Sequence, residues 1–222
     1  MSRRPSRPVI FFDLDGTLLD VRERYFTLHC HIARQLSVDP GTADDFWRLK
    51  RRRAPSTLLL GDIGASEAAN YDHLWLNLVE TAPFTDLDTP FPGALHVLHE
   101  LQDSATLALA TLRRDAVIVR QQLRRLGLAP LFDEVLVSGE FADVHRSKPA
   151  LIQRSRWKDS RLAVVVGDTE DDADAAEALH VPFIAVDTGL REASQLRERA
   201  ASVICSLEEL SQTLPWLLKT NH

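Results

Sequence analysis

The sequence has 222 residues, with 26 Lys and Arg against 32 Asp and Glu, and 45% of its residues are apolar. A chain of this length and composition buries a sizeable core, so disorder, collagen and coiled coil are excluded for the chain as a whole. The formal net charge of −6 repels a polyphosphate backbone, so we expect no nucleic-acid partner. Cys30 and Cys205 lie far apart in the sequence and indicate a reducing compartment rather than a disulfide framework.

The sequence shows neither an export signal nor a membrane span. Arg3, Arg4 and Arg7 are typical of the basic start of a signal peptide, but Asp13 and Asp15 interrupt the apolar run that follows. No apolar stretch reaches the roughly 18 uninterrupted residues that a membrane span needs. We therefore expect a cytoplasmic protein with no membrane partner.

Short apolar runs recur along the chain, and each ends at a polar residue or a glycine. Segments with helical spacing of apolar residues separate them. This alternation predicts a parallel sheet, and the continuous apolarity of the strands indicates that helices cover both faces. We therefore predict a doubly wound, Rossmann-like α/β core. The predicted strands are 9–12, 106–110, 135–137, 162–166, 183–186 and 202–205, and the clearest helices are 94–101 and 117–128.

The segment from about Val21 to Asp88 has no convincing strand, although its apolar residues keep helical spacing. Prolines at its far end favour turns there. We interpret the segment as an inserted all-helical module. The predicted division is a core of residues 1–20 and 88–222 and a helical cap of residues 21–87.

Carboxylates follow two of the predicted strands, at the edge where an open parallel sheet binds its ligands. Asp13 and Asp15 follow the first strand, where side chains two positions apart start on the same side. Asp168 and Asp172 follow the strand at 162–166. These carboxylates repel one another unless a cation is bound, and oxygen ligands without His or Cys favour Mg²⁺. The sequence therefore predicts a magnesium site at this edge.

Two further residues near the same edge suit a phosphate group. Thr111 ends the strand at 106–110, and Lys148 precedes Pro149 after the next strand. With Mg²⁺ and backbone amides, a hydroxyl and an ammonium group would hold the equatorial oxygens of a transferring phosphoryl group. One aspartate can then attack the phosphorus, while a second acid protonates the leaving oxygen and later activates water.

The polar segments at the strand ends resemble the four motifs of the haloacid dehalogenase superfamily, in the same order along the chain. The resemblance covers about residues 8–20 and 88–201, and the inserted helices look like that family's cap of the first type. It is nearest to the branch with phosphoglycolate phosphatase-like and β-phosphoglucomutase-like members. The matching segments are Asp13-Leu14-Asp15-Gly16-Thr17, Thr111, Lys148-Pro149, and Gly167-Asp168 with Asp172.

The resemblance implies a role for each carboxylate of the first motif. Asp13 would be the nucleophile and a Mg²⁺ ligand. Asp15 would be the general acid and base, and would also coordinate the metal through its backbone carbonyl. A carboxylate at Asp15 resembles the phosphatases and phosphomutases, because the dehalogenase branch releases a halide that needs no proton.

The resemblance also assigns the other motif residues. Thr111 and Lys148 would bind the phosphoryl group, and Asp168 would be a direct metal ligand. Asp172 would complete the metal site by holding a metal-bound water or Lys148, with Asp171 as its substitute. Only twenty positions separate Lys148 from Asp168, so we expect a short helix between them.

A run of positive residues lies within the predicted cap. Charge runs usually face water, which makes a solvated helix face the simplest interpretation. In the alternative hypothesis, one or two of its arginines reach into the cleft and bind a second anionic group of the substrate. The arginines are Arg51, Arg52 and Arg53.

Three other groups of residues allow two interpretations each. The pair 113–114, directly after Thr111, favours anion steering by its position, although a helix start there needs neither arginine. Neighbouring helix residues point in different directions, so we expect the run 29–31 to pack or to face the surface rather than to chelate a metal. The aromatic residues Trp47, Tyr71 and Trp75 have the spacing of a cap core, and the alternative is a stacking platform for a base or ring.

We therefore predict a Mg²⁺-dependent phosphomonoester hydrolase that acts on a small phosphorylated metabolite through an aspartyl phosphate on Asp13. One alternative is a phosphotransferase of the β-phosphoglucomutase kind, which would yield an isomerised sugar phosphate instead of inorganic phosphate. Another is a non-catalytic binding protein on the same fold. We expect a monomer or a small homo-oligomer.

Overall fold

The computed structural model of the chain describes residues 7–61, 63–144, 147–160 and 163–214. The predicted strand start at Leu162 lies outside these residues, as do both ends of the predicted core, at 1–6 and 215–222. The strands are β1 (Val9–Phe12), β2 (Leu19–Asp20), β3 (Thr89–Pro90), β4 (Thr106–Thr111), β5 (Glu134–Val137), β6 (Ala163–Gly167), β7 (Phe183–Val186) and β8 (Ser202–Ile204).

The helices alternate with the strands of the core and fill the chain between β2 and β3. None of the helices in the described part of the chain is both long enough and apolar enough to cross a membrane. The helices are α1 (Arg22–Gln35), α2 (Ala43–Arg51), α3 (Ser56–Leu59), α4 (Ala65–Leu78), α5 (Ala82–Thr85), α6 (Ala94–Gln102), α7 (Ala116–Arg125), α8 (Lys148–Ile152), α9 (Glu170–Leu179) and α10 (Ala193–Leu196).

Six strands of the described chain form one parallel sheet in the order β5-β4-β1-β6-β7-β8. The chain adds strands first on one side of β1 and then on the other, which opens a crevice beyond the carboxyl end of β1. The predicted doubly wound, Rossmann-like α/β core is confirmed. The strands agree with the apolar runs to within one residue at each end.

Both faces of the sheet are covered by helices. All residues of β1 are buried, and alternate residues face opposite layers. Ile10 and Phe12 pack in a cluster with residues of α6 and α7, whereas Val9 and Phe11 pack in a second cluster with residues of α8 and α9. This two-sided burial explains why the strand is apolar at every position.

The helices α1–α5 occupy the chain between β2 and β3, where the sequence predicts helices and no strand. Their apolar residues form a cluster of their own, which includes Leu28, Ile32, Phe46 and Tyr71. The division at residues 21–87 remains a prediction, and we use the word cap for this segment below.

The two chain connections between the cap and the core lie side by side. β2 and β3 form a small antiparallel ribbon in which Leu19 lies opposite Pro90 and Asp20 opposite Thr89. This ribbon is not among the predicted elements, because a two-residue strand has no hydrophobic periodicity in the sequence.

The prediction that Trp47 lies in the cap core is wrong. Tyr71 and Trp75 do pack in the cap cluster, but Trp47 packs against the apolar cluster between the sheet and α6–α7. Adjacent residues of a helix point in different directions, so Phe46 faces the cap interior while Trp47 faces the core.

His29 lies inside the cap, and both of its ring nitrogens have partners. Nε2 lies 2.9 Å from the carbonyl oxygen of Pro40, and Nδ1 lies 3.0 Å from the hydroxyl of Tyr71. A carbonyl oxygen can only accept, so Nε2 carries the hydrogen and Nδ1 of the neutral ring accepts from Tyr71. Burial lowers the pKa of His29 in spite of the Pro40 carbonyl, and the positive charge of Lys50 lowers it further. His29 therefore packs inside the cap, whereas His31 is exposed.

We expect the buried neutral His29 to make the protein less stable in mild acid. Its stabilising contribution is present above the ordinary pKa of 6.5 and is lost as the pH falls below it, because the unfolded chain takes up the proton first. The variant His29→Gln keeps a side-chain amide but cannot titrate. Between about pH 7.5 and about pH 5, the Tm of the wild type should therefore fall further than that of the variant.

Carboxylates elsewhere in the chain titrate equally in both proteins, so the difference between the two Tm curves isolates His29. Parallel curves would contradict the prediction.

Candidate active site

A cleft of about 200 Å³ opens where the carboxyl end of the sheet meets the cap. Four of the predicted site residues line it together: Asp13, Asp15, Thr111 and Lys148. The cap contributes Tyr25 and, near its far end, Glu80, among others. The structure thus brings residues from distant parts of the chain to one small space.

The order of the sheet explains this convergence. β1 lies between β4 and β6, so the residues that follow these three strands are neighbours. The backbone N–H of Asp13 donates to the carbonyl oxygen of Val166 at 2.9 Å, which fixes Asp13 beside the end of β6. Thr111 is buried at the end of β4, and Asp168 is buried directly after β6.

Three buried carboxylates lie close together, and two of them bind one buried ammonium group. Asp13, Asp168 and Asp172 each place one carboxylate oxygen within 4.8 Å of the others. Lys148 Nζ donates to Oδ1 of Asp13 and, at 2.5 Å, to Oδ1 of Asp172. When all four groups are ionised, the cluster carries a net charge of −2. A divalent cation with a preference for oxygen ligands fits this charge and this donor set.

The burial of the cluster disfavours its negative charge. Burial raises the pKa of Asp13 to about 7, although Lys148 opposes the rise. Burial and the charges of Asp13 and Asp172 raise the pKa of Asp168 well above its usual range. Burial disfavours the charged form of Lys148 too, but Asp13 and Asp172 outweigh it and raise the pKa of that lysine. A bound cation would favour the ionised carboxylates in the same way as Lys148 does.

The carboxylate of Asp168 is fixed in place from several sides. The hydroxyl of Thr17 donates to Oδ1 at 2.9 Å, and the backbone N–H of Leu190 donates to Oδ2 at 2.6 Å. A Cβ atom on Gly189 would lie 2.1 Å from Oδ2, and one on Gly16 would lie 2.4 Å from the same atom. Glycine at both positions therefore leaves the room that this carboxylate occupies. Thr17 lies in the first motif, but no role for it is predicted from the sequence.

Asp172 holds Lys148 and also caps α9. Its Oδ2 accepts from the backbone N–H groups of Asp168 at 3.2 Å and Thr169 at 3.0 Å, and from the Thr169 hydroxyl at 2.7 Å. Its Oδ1 accepts from Lys148. Of the two roles that the resemblance implies for Asp172, this arrangement matches the support of Lys148. Asp171 lines the cleft instead.

Lys148 is the first residue of α8, which has only five residues. The short spacing between Lys148 and Asp168 predicts this short helix, and the structure confirms it. The side chain is buried, with a relative exposure of 3%. A buried ammonium between two carboxylates is fixed in position, so it can hold an anion at the floor of the cleft.

Asp15 lies outside the cluster of three carboxylates. Its side chain is ion-paired with Arg113 and with Arg24 of the cap. Burial would raise the pKa of Asp15, but the two guanidinium groups outweigh burial and hold the pKa well below its usual range. Arg113 is recognisable in the sequence by its position near the crevice, but no signal in the sequence points to Arg24.

The arginines at the end of α2 join the cap to the core. Arg51 Nη2 lies 2.5 Å from Oδ1 of Asp187, and Arg52 Nε lies 3.0 Å from Oε1 of Glu192. Arg53 Nη1 lies 3.3 Å from Oε1 of Glu170. In this arrangement the three side chains face acidic residues of the core, and none of them lines the cleft.

Comparison with known proteins places the chain in a family. A family model described as haloacid dehalogenase-like hydrolase matches residues 8–180. A protein named phosphoglycolate phosphatase from Agrobacterium fabrum is 27% identical over 224 residues, which cover 96% of this chain and 95% of the relative. Another of the same name, from Rhodobacter capsulatus, is 25% identical over 191 residues, 83% of this chain and 86% of the relative.

Solved structures share the fold. A haloacid dehalogenase-like family hydrolase from Streptococcus pneumoniae superposes with a TM-score of 0.75 at 19% identity, and covers 93% of this chain and 97% of its own. A protein described as a predicted phosphatase from Clostridium acetobutylicum reaches 0.73 at 21% identity, with 96% and 100% covered. The family model spans more than half of the chain, including all of the residues that line the cleft except Leu190. The chain belongs to the haloacid dehalogenase-like hydrolase family.

Proposed function

We propose that this hydrolase cleaves small phosphate monoesters with the help of Mg²⁺, through an aspartyl phosphate on Asp13. The observation that carries the proposal is the buried cluster at the floor of the cleft, in which Lys148 is held between Asp13 and Asp172. Thr111 lies at the same cleft. The names of the relatives, phosphoglycolate phosphatase, support a phosphate ester as the substrate.

The donor set of the cluster fits a magnesium ion. Asp13 and Asp168 would bind the ion directly, with the backbone carbonyl of Asp15 as a further ligand. Asp172, which accepts a hydrogen bond from Lys148, would support the site indirectly rather than bind the ion itself. When bound, Mg²⁺ would neutralise the charge of the cluster and of the substrate phosphate.

The residues of the cleft divide the chemistry between them. Lys148 and Thr111 hold the phosphoryl oxygens while an oxygen of Asp13 attacks the phosphorus, and the bond from phosphorus to the leaving oxygen breaks. Asp15 gives its proton to that oxygen. Water then attacks the phosphorus of the aspartyl phosphate while Asp15 takes a proton from the water, the bond from phosphorus to the Asp13 oxygen breaks, and inorganic phosphate leaves with the Asp13 carboxylate restored.

The Asp15 carboxylate fits the second of these steps as it stands, because an ionised carboxylate accepts a proton. For the first step Asp15 must carry a proton. A phosphate dianion in the cleft favours the uptake of that proton, since nearby negative charge raises the pKa of a carboxyl group.

The size of the cleft supports a small substrate. Its volume of about 200 Å³ lies below the roughly 300–1,000 Å³ of pockets that take drug-sized ligands. A compact metabolite such as 2-phosphoglycolate fits this space better than a nucleotide or a phosphoprotein does.

We expect the purified protein to release inorganic phosphate from 2-phosphoglycolate or another member of a panel of small phosphorylated metabolites. Asp13→Asn keeps the shape of the side chain but removes the nucleophile, so kcat should fall at least about a thousandfold. Chelation of divalent cations should abolish release, and added Mg²⁺ should restore it. Phosphate release by a colorimetric assay, with circular dichroism to check folding, measures each effect.

The products of the same panel test the alternatives. An isomerised sugar phosphate without phosphate release would indicate a phosphotransferase. No turnover of any compound by the folded, Mg²⁺-supplied protein would overturn the proposed function.

Gly189→Ala should weaken Mg²⁺ binding, because a Cβ atom there would meet the Asp168 carboxylate at 2.1 Å. A displaced ligand should lower the affinity by about 10- to 100-fold, which isothermal titration of the protein with Mg²⁺ measures without any substrate. Gly64→Ala is the matched control, since the added Cβ there meets only the flexible side chain of Glu67. Equal Mg²⁺ affinities in the two variants would exclude Asp168 as a ligand.

A further inference from the structure

A second group of buried charges lies where the cap meets the core. It contains two arginines, Arg24 and Arg113, and two aspartates, Asp15 and Asp88. Arg24 is 1% exposed, Arg113 4% and Asp88 0%, and the Asp15 side chain keeps 18% of its surface at the cleft. Two positive and two negative charges balance, so the group needs no further ion.

Both oxygens of the Asp15 carboxylate are bound by guanidinium groups. Arg113 binds it through Nε, 2.7 Å from Oδ2, and through Nη2, 2.5 Å from Oδ1. Arg24 Nη2 adds a third contact, 2.9 Å from Oδ1. A paired, two-point contact of this kind fixes the plane of the carboxylate as well as its position. Oδ2 has a single guanidinium donor, which leaves it the less crowded of the two oxygens.

Asp88 and Gln122 fix the arginines in turn. Asp88 Oδ1 lies 3.1 Å from Arg24 Nε, and Asp88 Oδ2 lies 3.0 Å from Arg113 Nη2. Gln122 accepts from Arg113 Nη1 at 2.9 Å and donates to Asp88 Oδ2 at 2.8 Å. The Asp15 carboxylate is thus the exposed end of a buried network.

The four charged residues come from different parts of the fold. Asp15 follows β1 and Arg113 follows β4, both in the core. Arg24 lies in the first turn of α1, in the cap, and Asp88 directly precedes β3, at the return of the chain to the core. The position of Arg24 therefore depends on how α1 packs against the core, and so does its contact with Asp15.

We propose that Arg24 is a positioning residue, which holds the Asp15 carboxylate at the angle from which it reaches the leaving oxygen of the substrate. This inference rests on the proposed phosphatase function. The cap then contributes to the proton-transfer step itself as well as to the enclosure of the substrate. Asp13 forms its bond to phosphorus as the bond to the leaving oxygen breaks, and the proton of Asp15 goes to that oxygen.

The demand for this proton depends on the leaving group, which provides a selective test. The leaving oxygen of 2-phosphoglycolate is alkyl and a poor anion, so it needs the proton. The leaving oxygen of p-nitrophenyl phosphate departs as a stable aryl oxide and needs it far less. The ratio of kcat/KM for the two substrates therefore reports how well Asp15 is positioned, because kcat/KM covers the steps up to departure of the leaving group.

Arg24→Met should lower kcat/KM for 2-phosphoglycolate by about 10- to 100-fold more than for p-nitrophenyl phosphate. Asp15→Asn provides the benchmark and should change the ratio in the same direction by at least as much. Arg24→Lys, which keeps one charged contact, should recover part of the loss.

Arg114→Met is the matched control. Arg114 also joins core and cap, through Glu80 and the carbonyl oxygen of Leu76, but makes no contact with Asp15. Its loss should leave the ratio within about twofold of the wild type, since it does not touch the proton donor.

Arg24→Met leaves Asp88 with one partner fewer and can impair folding. The double variant Arg24→Met/Asp88→Asn removes one charge of each sign, so it keeps the group balanced and should change the ratio as Arg24→Met does. A loss of equal size on both substrates, in either variant with a wild-type circular dichroism spectrum, would reduce Arg24 to a structural role and overturn the inference. A wild type that hydrolyses neither substrate would instead overturn the proposed function.

Discussion

The burial of negative charge at one edge of the sheet is the constraint on which the rest of this site depends. Asp13 and Asp168 lie at the ends of neighbouring strands, and Asp172 lies in the first turn of the helix that follows. When all four groups are ionised, a fold that buries three carboxylates with one ammonium keeps a charge of −2 away from water. Backbone N–H groups, the Thr17 hydroxyl and the start of α9 offset part of that cost, and a divalent cation is suited to offset the remainder.

The two groups of buried charged residues lie at the same cleft but differ in their charge balance. The cluster around Lys148 has more carboxylates than ammonium groups, so its ionised form attracts a cation. The group around Arg113 has no net charge, because each charged side chain is paired with one of the opposite sign. The first arrangement suits the binding of metal and phosphate, and the second suits a carboxylate that must keep one orientation. The separation keeps Asp13 and Asp15, only two positions apart, in different electrostatic surroundings.

Much of the fold is predictable from the sequence, because buried parallel strands are short and continuously apolar. The runs that became β1 and β7 match to the residue. Helix α7 ends earlier than its pattern predicts, at Arg125, where Gly127 with φ of +72° turns the chain. Asp13, Thr111, Lys148 and Asp168 stand where strands end or helices begin, which is why their convergence could be predicted.

The partners of Asp15 could not be predicted in the same way. Arg24 has the sequence surroundings of any surface arginine on a helix, and Asp88 those of a loop acid. Their burial depends on the seating of α1 against the core, a tertiary contact that no local period encodes. The same reason explains Trp47, whose neighbour Phe46 faces the other way. Contacts between separate layers of a fold leave little trace in the sequence of either layer.

The pairing of β2 with β3 allows the cap to change in evolution without disturbing the sheet. Leu19 and Pro90 are opposite each other, so the chain departs from the sheet and comes back at nearly the same point. The cap can be regarded as one long loop whose two ends are fixed at β2 and β3. The entropic cost of closing a loop grows only slowly with its length. The cap over the cleft can therefore become longer, shorter or different in sequence in related proteins while the carboxylates at the ends of the strands stay the same, so substrate selectivity can change faster than the chemistry of the site.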